Sequence, residues 1–194
     1  RNPNIVGFIL DDFFHEPAAG NAADPLPDTP AAVDAADRSF RASLSPEQLR
    51  TLRRRQVRGA RLPLMAVIYT GQVKPGARAH IAEVDQLSLW TWRPADLEHM
   101  ADNFAALERL APDKRLFLGC YMYDFHESKP LPIALMQQQV GLGHQWLKEG
   151  RIAGMIFLAT PNVDVGLEAV EWTRRWIQAN GSERLPNHNP SSTK

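Results

Sequence analysis

Apolar residues gather in five short, nearly continuous runs at residues 5–10, 64–69, 86–92, 115–123 and 152–159. Strands with one wet face alternate apolar and polar positions, whereas these runs barely alternate, as strands of a parallel sheet covered on both faces do. Between them the pattern changes to helical spacing. Ser45, Pro46, Glu47 and Gln48 form an N-cap with proline at the first helical position and glutamine at the third, opening a predicted helix that reaches about Gly59. Arg93 and Pro94 open a second, with Leu97, Met100, Phe104, Leu107 and Leu110 on one stripe and Pro112 just beyond its end. A third begins near Leu131 and ends at Gly150, and the last runs from near Asp164 to Gly181.

The regular alternation of strand and helix predicts an α/β fold with right-handed crossovers and strands side by side in chain order. The chain opens almost at once in a strand, and Ile5-Val6-Gly7-Phe8-Ile9-Leu10 echoes Ile152-Ala153-Gly154-Met155-Ile156-Phe157. Both features point to repeated units, so the expected architecture is an incomplete (β/α)8 TIM barrel with its last five βα units present. On that reading residues 1–181 form the barrel portion and the three missing units precede Arg1. The tail 182–194 is polar and loose. One connection breaks the rhythm: residues 14–44 are rich in Ala, Asp and Pro and far longer than a normal βα loop, the length of a functional lid or of a disordered insert.

Parity along each strand separates two faces. Val6, Phe8 and Leu10 oppose Gly7, Ile9 and Asp11; Leu87 and Leu89 oppose Ser88, Trp90 and Trp92; Leu116, Leu118 and Met122 oppose Gly119, Tyr121 and Tyr123. Assigning the rows that contain Gly or Ser to the interior gathers Asp11, Tyr69, Trp90, Trp92, Tyr121, Tyr123 and Thr160 around the rim where the strands end. In barrels of this kind that rim carries the chemistry.

Composition narrows the class without naming a substrate. The chain has 194 residues, 44% of them hydrophobic and 23% charged, as in ordinary globular proteins. Lys plus Arg and Asp plus Glu both number 22, so no net field draws the chain to nucleic acid or to an anionic membrane. The basic run at 50–58 reads as a solvated helix face. No apolar stretch is long enough to span a bilayer. Cys120 is the single cysteine, which excludes an internal disulfide and a multi-thiolate metal site; its place in an apolar strand makes it core. The compartment stays open, with a secreted or periplasmic location expected if a signal segment lies upstream.

The chemistry lies at the strand ends. Asp11 and Asp12 stop the first apolar run abruptly, and a regular strand would aim them to opposite sides. Two-carboxylate glycoside hydrolysis needs its groups about 5–9.5 Å apart across one bond, so a partner is expected from another strand. Asp124, directly after Tyr121-Met122-Tyr123, is the candidate, with Glu127 and Glu16 in nearby loops. An aromatic rim with carboxylates suits a small-molecule or oligosaccharide substrate, because sugar C–H faces stack on Trp and Tyr while acids handle glycosidic oxygens. The same aspartates can instead cap helices or bind loop amides. A second pattern competes: Asp12-Phe13-Phe14-His15-Glu16 and Asp124-Phe125-His126-Glu127 each place an acid, aromatic spacers, a histidine and a glutamate after a strand. No cofactor is required by the first pattern, whereas the second is able to hold a divalent ion, although its spacing matches no established metal motif.

The segments Ile5-Val6-Gly7-Phe8-Ile9-Leu10-Asp11-Asp12-Phe13 and Gly119-Cys120-Tyr121-Met122-Tyr123-Asp124 resemble the acidic-strand and Tyr-Asp segments of glycoside-hydrolase-like TIM barrels, including the chitinase-like group and its bacterial relatives. The resemblance implies Asp11 or Asp12 as the acid, with Tyr123 and Asp124 stabilising substrate or an intermediate. The spaced Asp-x-Asp-x-Glu of chitinases is absent, and no glutamate ends the first strand, which leaves a different glycosidase, a lyase or an inactive sugar-binding barrel. The resulting expectation is a glycosidase-like hydrolase with Asp11, Asp12 and Asp124 as acid/base candidates. Tyr69, Trp90, Trp92, Tyr121, Tyr123, His126 and Glu127 are expected to bind substrate; the alternatives are a non-catalytic carbohydrate-binding domain and a metal-dependent hydrolase or isomerase.

Overall fold

A computed structural model of the chain describes residues 5–15, 17–22, 40–55 and 59–185. Its elements are β1 (Phe8–Leu10), α1 (Pro46–Arg53), β2 (Leu64–Tyr69), α2 (Arg78–Ile81), β3 (Gln86–Trp90), α3 (Met100–Leu110), β4 (Arg115–Tyr121), β5 (Tyr123–Asp124), β6 (Lys129–Pro130), α4 (Ile133–Lys148), β7 (Met155–Leu158) and α5 (Glu168–Asn180). The nearly continuous apolar runs become one parallel sheet of five strands in the order β1-β2-β3-β4-β7. β5 and β6 form a separate antiparallel pair.

The predicted α/β class and the sequential strand order are present, but the expected TIM barrel is not. The sheet is curled and open: among the described residues β1 pairs only with β2, and β7 only with β4. A closed barrel has no edge strands because the tilt and stagger of a sufficient number of strands bring first and last together. Here five strands curve part of the way round and leave two edges. Local periodicity identified the strands but carries no information on closure. At the β1 edge Ile5, Val6, Phe8 and Ile9 are exposed.

The convex face carries the main core. Leu64, Ala66 and Ile68 of β2, Leu87 and Leu89 of β3, and Leu116, Leu118 and Cys120 of β4 are buried beneath the helices, where they meet Phe104 and Leu107 of α3 and Met136, Val140 and Trp146 of α4. The rings of Phe104 and Trp146 stack with centroids 4.2 Å apart. Arg151 lies over both rings and forms a two-pronged ion pair with Glu108 on α3. Gly143 lets α4 approach the sheet, since a Cβ there would press into Met155 and Leu118.

The predicted capping box forms as the sequence specified: the Gln48 amide donates to Ser45 Oγ at 3.2 Å, and Gln48 Oε1 accepts from the Ser45 amide at 2.8 Å. Arg50, Arg54 and Arg55 of the basic run are exposed, as expected of a solvated face, and ion pairs tie the same region to the start of β3. Arg50 pairs with Glu83, and Arg53 and Arg61 both reach Asp85, which also accepts the Leu64 amide where β2 begins. Burial opposes the Asp85 charge, but Arg61, the Leu64 amide and Arg53 outweigh it and hold the carboxyl below its ordinary range. No helix among the described residues is long and apolar enough to cross a membrane.

Candidate functional site

The concave face holds a second, smaller cluster. Val67 and Tyr69 of β2 and Trp90 of β3 are buried there, with Ala18, Trp92, Tyr121, Ile156 and Leu158 packed against them. The parallel register explains the grouping, because Val67 is level with Ser88, Tyr69 with Trp90, Gly119 with Ile156 and Tyr121 with Leu158, all on one side of the pleat. The Trp90 Nε1 donates to Ser88 Oγ at 3.0 Å, satisfying the indole within its own strand. The sequence assignment of the Gly- and Ser-containing rows to one face therefore matches the packing in β3 and β4.

At the strand ends a corner of rings forms. Trp92 stands nearly perpendicular to Tyr69, at 5.9 Å and 85°, and to Tyr121, at 6.1 Å and 83°. Trp90 lies 4.7 Å from Tyr121, and Phe125 contacts both Tyr121 and Tyr123 at 5.2 Å. Trp92 and Tyr123 reach this corner from outside the main strands: β3 ends at Trp90, and β4 ends at Tyr121 before the chain enters the β5 hairpin. The Gln139 side chain of α4 donates to the Tyr121 carbonyl at 3.4 Å, holding β4 where it breaks.

Asp11 and Asp12 enter the same corner. A regular strand would turn one away, but Asp12 adopts a left-handed φ of 44°, and its amide folds back onto Asp11 Oδ1 at 3.1 Å. The Tyr69 hydroxyl then donates to Asp12 Oδ1 at 3.0 Å and lies 3.3 Å from the Tyr121 hydroxyl. With the Tyr69 proton directed to Asp12, Tyr121 is the donor to Tyr69, giving a chain of hydroxyls that ends on a carboxylate. Burial, then the Tyr121 and Asp12 partners, pushes the Tyr69 phenol far above its ordinary range, so it remains a neutral donor. Tyr121 is pushed up to about 12, chiefly by burial; the bond to Tyr69 opposes the rise, and the charges of Asp11 and Asp12 add to it. Among the described residues neither aspartate forms an ion pair, and both are exposed.

Asp124 is placed differently. It is buried, and its Oδ1 accepts the amides of His126 and Glu127, each at 3.0 Å. It thus closes the turn between β5 and β6, the Asx-type use of a strand-end aspartate. His126 and Glu127 are exposed, and Glu127 pairs with Lys129, which holds its carboxyl below the usual range. His15 faces Ser43 Oγ at 3.3 Å. Thr160, expected at the rim, is exposed at a cis bond to Pro161. Glu16 lies outside the described residues. Among the described residues no group of three or more His, Cys, Asp or Glu is gathered so as to hold a metal ion. Cys120 is fully buried, which pushes its thiol up and away from nucleophilic use.

Sequence reasoning missed the residues that fasten the segment after β1 across the sheet. Asn103 of α3, fully buried, accepts the Ala22 amide at 2.7 Å and donates to Asn21 at 3.0 Å, while Asp96 accepts the Gly20 amide at 3.3 Å. Gln72 donates to the Phe14 carbonyl at 3.3 Å. A buried asparagine on an otherwise apolar helix stripe was the available signal. Residues 17–22 therefore lie against the ends of β2 and β3 beside the aromatic corner; the centre of the long connection, 23–39, falls outside the described residues.

Comparison with family models, with curated proteins and with solved structures returned no match.

Proposed function

We propose that the aromatic corner at the strand ends is a saccharide site and that the chain acts there as a glycosidase-like hydrolase. The observation that carries this reading is the contact between Tyr69 Oη and Asp12 Oδ1 within a group of tryptophan and tyrosine rings. Aromatic faces offer stacking area for the C–H surface of a sugar ring, and an exposed carboxylate oriented by a phenol can accept a hydroxyl or move a proton at a glycosidic oxygen. Asp12 is the acid/base candidate because Tyr69 fixes it. Asp11, whose Oδ1 accepts the Asp12 amide, orients the turn and contributes charge. Tyr69 and Tyr121 stay protonated and serve as donors, so neither is the nucleophile.

A second reading, saccharide binding without turnover, is supported by Asp124. With its Oδ1 engaged by two amides, the acids left at the corner are Asp11 and Asp12, which are neighbours and poorly suited to flank one glycosidic bond.

The test measures reducing-end release from oligosaccharides alongside calorimetric binding. Asp12→Asn keeps the left-handed backbone accessible and removes the charge; under the hydrolase reading it lowers turnover by about 10² or more while binding persists. Binding with no release by the unmodified protein over long incubation identifies the non-catalytic reading, and absence of binding removes both.

A further inference from the structure

We propose that an arginine-lined cavity between the C-terminal turn of α1 and the start of β2 binds the phosphoryl group of a small phosphate monoester. The cavity has a volume of about 320 Å³ and is lined by Arg50, Arg53, Arg54, Arg61 and Glu83. That volume falls at the small end of the range for ligand sites. The cavity lies where β2 begins, whereas Tyr69 and the aromatic corner lie where β2 ends, so the inference is independent of the saccharide reading.

The arginines exceed what the fold uses. Glu83 is matched by Arg50, whose Nε and Nη2 both donate to its Oε1. Asp85 is matched by Arg53 at 2.9 Å on Oδ1 and by the Leu64 amide at 2.9 Å on Oδ2. Arg61 is then a second guanidinium on the same Oδ1, and the exposed Arg54 side chain makes no hydrogen bond or ion pair among the described residues. Four guanidiniums against two carboxylates leave two positive charges in excess. Arg53 and Arg61 repel each other where they converge on one oxygen, and an anion held among the arginines offsets that repulsion.

The donors that remain define the ligand. Arg50 Nη1, Arg61 Nε and Nη1, and the whole Arg54 fork have no acceptor among the described residues. Planar forks of this kind match the oxygens of a phosphoryl group, two parallel N–H bonds at a time. The excess of two charges suits a monoester, which carries about −1.5 to −2 at neutral pH, better than a diester or a carboxylate, which carries one negative charge. Because the chain as a whole has no net charge, the attraction belongs to this cavity rather than to a general polycation.

The experiment is calorimetric titration of the full chain at neutral pH with glycerol 3-phosphate, a monoester, with dimethyl phosphate, a diester, and with glycerol. Glycerol 3-phosphate should bind about tenfold more tightly than dimethyl phosphate, glycerol should give no heat, and the monoester affinity should fall as salt is raised. Arg54→Gln should weaken monoester binding about tenfold with an unchanged melting temperature, because Arg54 holds no ion pair that folding uses. Arg61→Gln should weaken it similarly, with Arg53 still on Asp85. Arg175→Gln on α5 removes the same charge from an exposed arginine outside the cavity and should leave binding unchanged. The absence of monoester binding at millimolar concentration overturns the inference. So does an equal loss in Arg175→Gln, which would reduce the effect to overall charge. Binding of a short single-stranded oligonucleotide without binding of the monoester also overturns it, in favour of a nucleic-acid contact.

Discussion

The Trp90 indole occupies the space that a side chain on Gly119 would fill: a Cβ built on Gly119 collides with the indole ring. The two residues lie on neighbouring strands of the concave face, and the missing side chain on β4 is what lets the indole lie across the sheet toward Tyr121. A small residue on one strand and a large one on the next therefore set the floor of the candidate site. Alternating large and small side chains in this way is a general means of filling the inside of a curved sheet.

Replacing Gly119 by alanine tests that relationship. The Trp90 side chain is buried and cannot move aside without opening a gap between Val67 and Tyr121, so Gly119→Ala should destabilise the fold by about 1–3 kcal/mol, the usual cost of overpacking. It should also shift the tryptophan emission. Denaturant unfolding with a fluorescence readout checks both, and a variant with unchanged midpoint and spectrum would show that the indole has room to spare.

Asp124 and Asp12 should separate cleanly by their phenotypes. Asp124→Ala removes the acceptor of two turn amides and should cost about 1–2 kcal/mol in stability, while leaving oligosaccharide affinity within about twofold. Asp124→Asn, which retains an acceptor oxygen, should be close to neutral on both counts. Thermal melts paired with binding titrations provide the check; loss of binding in Asp124→Asn with an unchanged melt would place the carboxylate in the site after all.

His80 supplies a pH dependence. Its ring is buried among Phe13, Phe14 and Phe40 at centroid distances of 5.8–6.2 Å, and among the described residues its Nδ1 meets no partner. Burial lowers its pKa, so the folded chain holds the neutral form while the unfolded chain protonates near the ordinary histidine value of about 6.5. Between those two values the unfolded state binds more protons, so the stabilising contribution is complete above about 6.5 and is lost as the pH falls through that window. His80→Leu should flatten this part of the stability profile. Melts measured across the window would contradict the assignment if both proteins lose stability in parallel.

How far the sequence reveals this arrangement differs from residue to residue. Ser88, Trp90, Gly119 and Tyr121 were legible as one face because parity within a strand is a local property, and a Gly or Ser in the row marks it as different from its aliphatic opposite. Asp12 was legible as a strand-end acid but not in its direction, since the parity argument assumed a regular strand and the left-handed turn at Asp12 breaks it. Asp124 looked like a second acid because strand-end aspartates serve catalysis and turns alike, and only the amides of His126 and Glu127 distinguish the two uses. Asn103 and Asp96 were missed because their partners, Ala22, Asn21 and Gly20, lie more than seventy residues away in sequence. The barrel expectation failed for a related reason: each βα unit is specified locally, whereas closure is a property of how many strands meet around one axis.

Asp12 and the rings of Tyr69, Trp92 and Tyr121 are proposed to act together as one saccharide site. The most direct measurement is calorimetric titration of oligosaccharides into the unmodified chain and into Trp92→Ala, with the melting temperature of each recorded. Trp92 is half-buried at the corner, so its removal should abolish measurable binding while the chain stays folded. Undiminished affinity in a folded Trp92→Ala protein would contradict the account, because the ligand would then lie elsewhere.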